Sequence, residues 1–486
     1  MARFYGGEGT PWRELTNKPM RMKNIWIAVL AVLGAGMAGA AADNHIVGSW
    51  HGRLKVTPQV ELKLVFHLET DADGRASVTL DSPDQGVYGI VGEVDCLSAD
   101  SIRVSVRRIG LSYVGHREGD EWVGRCTQGA MDEELILYAG KAEAGRPQTP
   151  RPPFPYGTEE VTFNNLRDQV VLAGTLTLPE GCTAETPAVV MVTGSGLQNR
   201  DEEIFGHKPF AVIADYLARN GIASLRYDDR GFGESTGDGT NATTEDFAQD
   251  AKAGVEYMRR IGNFKHVGVL GHSEGATVAF MLGAKNDPVL CAGPDFIIAL
   301  GAQAVRGDSI LIDQSTTALE QGNMPERVVS DYAEALRKVY ALKMEKGDGE
   351  AFDRVEAICA GWETTPVHAA LKGNLKKIAG EPNPWIGYFI GFSPAGSIAA
   401  TDCPAFVLYG EKDIQIRPDL NMPPMRRLAP DATIKLYPGL NHLFQQAQTG
   451  AVQEYGTIEE TISPEVLRDI QNFITSLYDV RLRSGS

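Results

Sequence analysis

The residues best suited to chemistry form one short turn. Gly271-His272-Ser273-Glu274-Gly275 follows the apolar run His266–Leu270 and precedes the helical run Ala276–Ala284. A nucleophile on a tight strand-to-helix turn has a strained backbone, and glycines on either side let neighbouring chain approach closely. The spacing alone is weak, because composition gives roughly 0.3 such matches by chance in a chain with 53 glycines. The strand before it and the helix after it give it meaning. Gly391-Phe392-Ser393-Pro394-Ala395 has neither a leading strand nor the second glycine.

A serine hydroxyl attacks only when a base takes its proton, and the base needs a carboxylate to hold its tautomer. For a serine on this kind of turn the chain order is serine, acid, histidine. Asp413 follows the apolar run Ala405–Tyr409, and His442 follows Thr433–Tyr437, so both are expected at the sheet edge that carries Ser273. Glu411 is the other carboxylate of the first loop. Of nine histidines, His442 alone lies downstream of the acid and at a strand's carboxyl end. His272 is read as structural, since adjacent side chains on such a turn point apart. An attacked carbonyl also needs donors for its oxyanion. The backbone N–H groups of Glu274 and of Ser195, in Thr193-Gly194-Ser195-Gly196, are the expected pair. Gly194, Gly196, Arg200 and His207 are expected to border the substrate. Arg200, Asp201 and His207 read equally well as a solvated entrance.

These residues need a rigid frame. After a hairpin at Val161–Pro179, buried-type strands (Ala188–Val192, Ala223–Tyr227, His266–Leu270, Phe296–Leu300, Ala405–Tyr409, Thr433–Tyr437) alternate with amphipathic helices such as Pro209–Arg219 and Asp246–Ile261. That rhythm predicts an α/β fold, a mainly parallel sheet covered by helices on both faces, over 158–482. About a hundred residues between Leu300 and Ala405 exceed any ordinary connection and predict a helical cap at about 303–400. Short alternating segments across 43–143 predict an antiparallel β-rich accessory domain. The proline-rich stretch 144–157 reads as a linker.

With 486 residues the chain has room for two folded units. A net charge of −17 with no basic patch argues against nucleic acid or anionic lipid as partners. Residues 1–42 read as a polar extension followed by a secretory signal peptide, with Arg21 and Lys23 before the apolar run Ile25–Ala42. Export to the periplasm or outside is expected, with no stable membrane insertion after cleavage; an uncleaved run would anchor the chain. Six cysteines without metal-type spacing imply no zinc site, and no metal or organic cofactor is expected. Cys96 and Cys126 are the pair expected to bridge in an oxidising compartment, the other reading being buried thiols.

Longer motifs add a resemblance. Thr193-Gly194-Ser195-Gly196-Leu197-Gln198-Asn199-Arg200-Asp201-Glu202, Lys208-Pro209-Phe210 and Tyr227-Asp228-Asp229-Arg230-Gly231-Phe232-Gly233-Glu234-Ser235, together with the Ser273 turn, resemble bacterial α/β-hydrolase esterases of the EstD-like type. These are related to the serine aminopeptidase and prolyl oligopeptidase groups. The resemblance spans about 155–480, and Ser82-Pro83-Asp84-Gln85 resembles the accessory domain of some exported members. It implies carboxylesterase activity on a small-molecule ester through an acyl-enzyme, with Ser273 as nucleophile, Asp413 as acid and His442 as base. Thr193 stands where many α/β-hydrolases carry histidine, and Ala276 where a third glycine often follows. The resemblance makes Arg230 a brace that pairs with carboxylates. Trp362, Trp385, Tyr388, Phe389 and Phe392 supply apolar surface either to a small acyl pocket or to the cap's own core. Two rival readings remain: an exported serine peptidase of the same fold, and a non-catalytic binding protein working through the β domain.

Overall fold

The computed structural model describes residues 47–478 apart from 58–59, 72–74, 83–86, 130, 141–145, 261, 286–288 and 290–292. The expected signal peptide, Cys291 and Pro83-Asp84-Gln85 lie outside the described residues.

The alternating N-terminal segments form eight strands, β1 (Gly48–Thr57), β2 (Val60–Thr70), β3 (Ala76–Ser82), β4 (Val87–Leu97), β5 (Ser101–Val106), β6 (Leu111–Glu118), β7 (Glu121–Gln128) and β8 (Met131–Ala139). They pair in chain order and close as an antiparallel barrel where Trp50 meets Ala139. Period-two alternation sends Ile102, Val104 and Val106 of β5 inward, joining Trp50, Phe66, Tyr113 and Trp122 in a filled interior. Inside it the Tyr113 hydroxyl donates to the Trp122 carbonyl at 3.0 Å, so its polar end is not stranded. The expected Cys96–Cys126 bridge is not formed. Cys96 is exposed on β4 while Cys126 is buried on β7, with two strands between them, and both are free thiols. The exposure of Cys96 also departs from the reading of uniformly buried thiols.

The second half builds an eight-stranded sheet from β9 (Gly157–Asn165), β10 (Val170–Leu178), β11 (Ala188–Val192), β12 (Ala223–Tyr227), β13 (Val267–His272), β14 (Ile297–Leu300), β15 (Ala405–Gly410) and β16 (Thr433–Tyr437). Their order across the sheet is β9-β10-β12-β11-β13-β14-β15-β16. The β9–β10 hairpin and the β10–β12 pair are antiparallel and every later pair is parallel. The central strand β13 is buried on both faces, as a parallel strand between helical layers must be.

Helices α1 (Pro209–Arg219), α2 (Thr244–Arg260) and α3 (Glu274–Gly283) follow β11, β12 and β13. The cap comprises α4 (Gly307–Gln321), α5 (Glu326–Lys346), α6 (Asp348–Ile358), α7 (Pro366–Gly380), α8 (Pro384–Gly391) and α9 (Ala395–Ala400); α10 (Pro418–Leu428) and α11 (Pro464–Leu477) complete the chain. Helix α2 buries Ala248, Ala251, Val255 and Met258 at helical spacing against one sheet face. On the other face α1 and α11 bury Phe210, Ile213, Leu217, Val466 and Ile470. The cap has its own core around Leu336, Val339 and Leu375, each such side chain contributing about 1.5–3 kcal/mol by leaving water.

The described part of the proline-rich segment does not hang free. The Arg146 guanidinium donates to the carbonyls of Ile458 (2.9 Å) and Phe205 (2.7 Å), the Gln148 side-chain amide donates to the Ile462 carbonyl (2.8 Å), and the Tyr156 hydroxyl donates to Asp215 (2.7 Å).

Candidate active site

The turn after β13 carries the strain expected of a nucleophile elbow. Ser273 has φ 55° and ψ −115°, a left-handed backbone that costs a non-glycine residue about 1–3 kcal/mol. Its flanking glycines are required by space. A Cβ on Gly271 would lie 1.9 Å from the Gly275 carbonyl oxygen, and one on Gly275 would lie 2.1 Å from that of Val192. Ser273 N–H donates to the Leu300 carbonyl at 2.8 Å, tying the elbow to β14. Glu274 begins α3, so its N–H belongs to the helix's unsatisfied first turn.

The loops after β15 and β16 bring the next pair together. His442 Nδ1 lies 2.8 Å from Asp413 Oδ2, and both side chains are at most 5% exposed. Asp413 Oδ1 accepts from the N–H groups of Gln415 and Ile416, each at 2.8 Å, which fixes the carboxylate plane. Glu411 is exposed and accepts from the Gly439 N–H at 2.8 Å. It closes the histidine loop rather than facing the histidine. Gly301, at φ 60°, sits where a Cβ would be 3.2 Å from His442 Cε1 and 3.4 Å from Asp413 Oδ2. Sequence reasoning passed over Gly301; its only signal was a glycine at the end of a buried strand.

The loop after β11 approaches the elbow so closely that a Cβ on Gly194 would stand 3.2 Å from Ser273 Cβ. Gly194 N–H donates to Glu202 Oε1 at 2.8 Å, so Ser195, the next residue, is the loop's remaining candidate donor. Beside the loop is a small recess lined by Gly194, Gly196, Glu274 and Asp229 among others. Asp229 accepts from the Thr193 hydroxyl and the Gln198 N–H, both at 2.8 Å, and burial holds its carboxyl well above the usual carboxylate range against those two bonds. Thr193 thus earns its place by holding the loop to Asp229. Burial likewise raises the Glu274 carboxyl, which receives hydrogen bonds from Thr244 Oγ1 at 2.6 Å and from the cap's Trp385 Nε1 at 2.8 Å.

Two expected substrate contacts are corrected. His207 is fully buried, with Nδ1 3.0 Å from Thr461 Oγ1 and Nε2 2.8 Å from the Tyr455 carbonyl, and so presents no surface to a ligand. Arg200 turns to carboxylates instead. Its guanidinium donates to Asp228 and Glu234 at 2.8 Å and pairs with Glu160, bracing the Asp228–Ser235 loop. Asp201 pairs with Arg226 and Lys208. Arg230 is a buried brace, held by Asp250 at 2.6 Å and Asp168 at 2.8 Å. Among the cap aromatics, Trp362 packs in the cap core beside His368, while Trp385 stacks on Phe389 at 4.7 Å and reaches the elbow through Glu274.

A parallel sheet preceded by an antiparallel hairpin now holds a strained serine after its central strand, with a hydrogen-bonded acid and histidine after the two that follow its neighbour. This is the α/β-hydrolase fold. Residues 208–340 of the chain match the family model described as serine aminopeptidase, S33. A segment of 144 residues is 33% identical to esterase EstD of Thermotoga maritima, covering 29% of this chain and 33% of that one. Similar solved structures include an esterase of Pyrococcus furiosus (15% identity, 69% of this chain and 99% of that one, TM-score 0.39). A proline iminopeptidase of Mycobacterium smegmatis is also similar (16% identity, 66% and 99%, TM-score 0.40). Among the described residues, no cluster of three His, Cys, Asp or Glu side chains is arranged to hold a metal, and no helix is long and apolar enough to cross a membrane.

Proposed function

We propose that the chain is a serine carboxylesterase that cleaves short-chain acyl esters through an acyl-enzyme. The observation that carries this reading is the buried Asp413–His442 hydrogen bond, made at the same sheet edge as the strained Ser273. Ser273 Oγ attacks the ester carbonyl while His442 Nε2 takes its proton, and Asp413 holds Nδ1 protonated and steadies the imidazolium. The N–H groups of Glu274 and Ser195 receive the oxyanion. His442 then returns the proton to the departing alcohol. Water attacks the acyl-enzyme, His442 accepting its proton and handing it to Ser273 as the acid leaves. The aromatic cap over the sheet edge limits the acyl group. The N-terminal leader directs the chain out of the cytoplasm.

A second reading is an aminopeptidase of the same fold, favoured by the family match and by two carboxyl groups, Asp229 and Glu274, lining the recess beside the elbow. The test compares p-nitrophenyl esters of increasing acyl length with aminoacyl p-nitroanilides, in wild type and Ser273→Ala. Ester turnover that declines with acyl length and drops about 10⁴-fold or more in the variant is expected. Amide turnover without ester preference would select the peptidase. Failure of a fluorophosphonate to label Ser273 would reject both readings and turn attention to the barrel.

A further inference from the structure

Beside the nucleophile lies a buried pair that the mechanism above leaves unused. His272 precedes Ser273 and is 6% exposed, and Glu202 is 3% exposed. His272 Nδ1 is 2.9 Å from Glu202 Oε1, and His272 Nε2 is 3.0 Å from the His442 carbonyl oxygen. The His442 carbonyl can only accept, so Nε2 carries the proton of that contact, while the Nδ1 contact is made either by an imidazolium donating to a carboxylate or by a protonated carboxyl donating to a neutral ring. A second donor on the same carboxyl oxygen favours the first. The same Glu202 oxygen accepts from the Gly194 N–H at 2.8 Å. One carboxylate thus holds the loop that supplies an oxyanion donor, and the ring it charges holds the main chain of the catalytic base. The two imidazoles lie 4.5 Å apart. Glu202 itself has φ 54°, a left-handed backbone that the surroundings maintain.

We propose that Glu202 and His272 form a permanent buried ion pair that positions the oxyanion loop and the His442 loop relative to one another. Neither residue touches substrate in this scheme, so both are positioning residues; the inference rests on the proposed reading of Ser273 and His442 as nucleophile and base. The charged groups facing His272 support the charged state. Burial is the largest single influence and opposes it, but Glu202 from the segment after the oxyanion loop, the His442 carbonyl and Asp413 from the loop after β15 together outweigh burial, so the imidazole's pKa is raised. Asp229, which also feels Glu202, sits behind the same loop. The recess beside the pair is otherwise lined, from α1, β14 and the 443–462 segment, by Pro209, Phe210, Ile213, Leu300, Leu443, Phe444 and Ile462, all apolar.

The pair predicts an alkaline limb. His272 holds both contacts below its raised pKa and releases one as pH climbs through it, so turnover should fall there. Glu202→Gln removes the charge while keeping the shape, and the limb should move to lower pH. In that variant kcat should fall on the order of 10- to 100-fold, with KM for p-nitrophenyl acetate within about 3-fold of wild type. Nitrogen-15 spectra of histidine-labelled full-length protein, with His272 assigned by its loss in His272→Gln, should show a doubly protonated ring at neutral pH. A singly protonated His272, or a Glu202→Gln enzyme whose kcat and alkaline limb match wild type, overturns the proposal. Should His272→Gln fail to fold, the Glu202→Gln pH profile alone decides it. A wild type inactive on every ester would reject the proposed function, while the nitrogen-15 spectrum would still test the ion pair.

Discussion

Asp413 does two things through two oxygens, one fixed by backbone N–H groups and one presented to His442. Asp413→Asn keeps the shape but favours the wrong imidazole tautomer, so kcat should fall on the order of 10³- to 10⁴-fold with an unchanged melting temperature. His207 makes the opposite prediction, in stability rather than rate. Burial lowers its pKa to about 4, against an ordinary 6.5, so the folded state binds its proton less readily than the unfolded chain. The stabilisation is present above pH 6.5 and is lost as pH falls from 6.5 through 4, about 3 kcal/mol in all. Urea unfolding from pH 7.5 to 4 should show that loss in wild type and a shallower slope in His207→Asn. The variant should leave KM for esters unchanged, because the ring meets Thr461 and Tyr455 and not a ligand. At this scale the sequence made Ser273, Asp413 and His442 legible, because each chemistry-bearing side chain sits immediately after an apolar strand. It did not make Glu202 legible, nor the retreat of Arg200 and His207 from the substrate. Apart from Gly194, which meets Glu202, the partners of these side chains are 25 to 254 residues distant in the chain, and only the fold decides which polar groups they meet.

Between strand and helix, the elbow is a matter of clearance. Gly275→Ala would put a methyl against the Val192 carbonyl, and backbone on both sides cannot yield as a side-chain end can. A loss of at least about 3 kcal/mol in urea unfolding is expected, far more than for Gly396→Ala on α9, whose Cβ meets nothing. The cap joins the elbow through one polar contact, Trp385 to Glu274. Trp385→Phe keeps the ring stack on Phe389 but removes that donor. It should cost about 1–2 kcal/mol and speed proteolysis within the cap, leaving the rate of fluorophosphonate labelling near that of wild type. The strands and the cap were legible because periodicity changes visibly from alternating to continuous apolar runs, and because a hundred residues cannot be a loop. The closure of the N-terminal strands into a barrel was not, since β1 and β8 pair across nearly the whole domain and no local pattern records that.

Across the whole chain, the segment between the barrel and the sheet proves to be a clasp on the α/β half. Arg146→Ala would strip a donor from the Ile458, Phe205 and Gly456 carbonyls. A fall of about 2 kcal/mol in stability is expected, with ester turnover at low temperature preserved. The absence of a Cys96–Cys126 bridge means that reducing agent should not shift the barrel's melting, which thermal unfolding with and without dithiothreitol would check.

The sheet order also sets a timetable. Ser273 leaves the ribosome in the middle of the chain, followed by the whole cap, and only then come Asp413, His442 and the last two strands, β15 and β16, that carry them. A chain emerging from its N-terminus can fold the barrel at once, because that unit pairs neighbours in sequence. On the proposed reading the nucleophile must wait about 170 residues for its base. Until then the nascent polypeptide holds an unactivated serine and can do no hydrolysis, so competence arrives late and in one step.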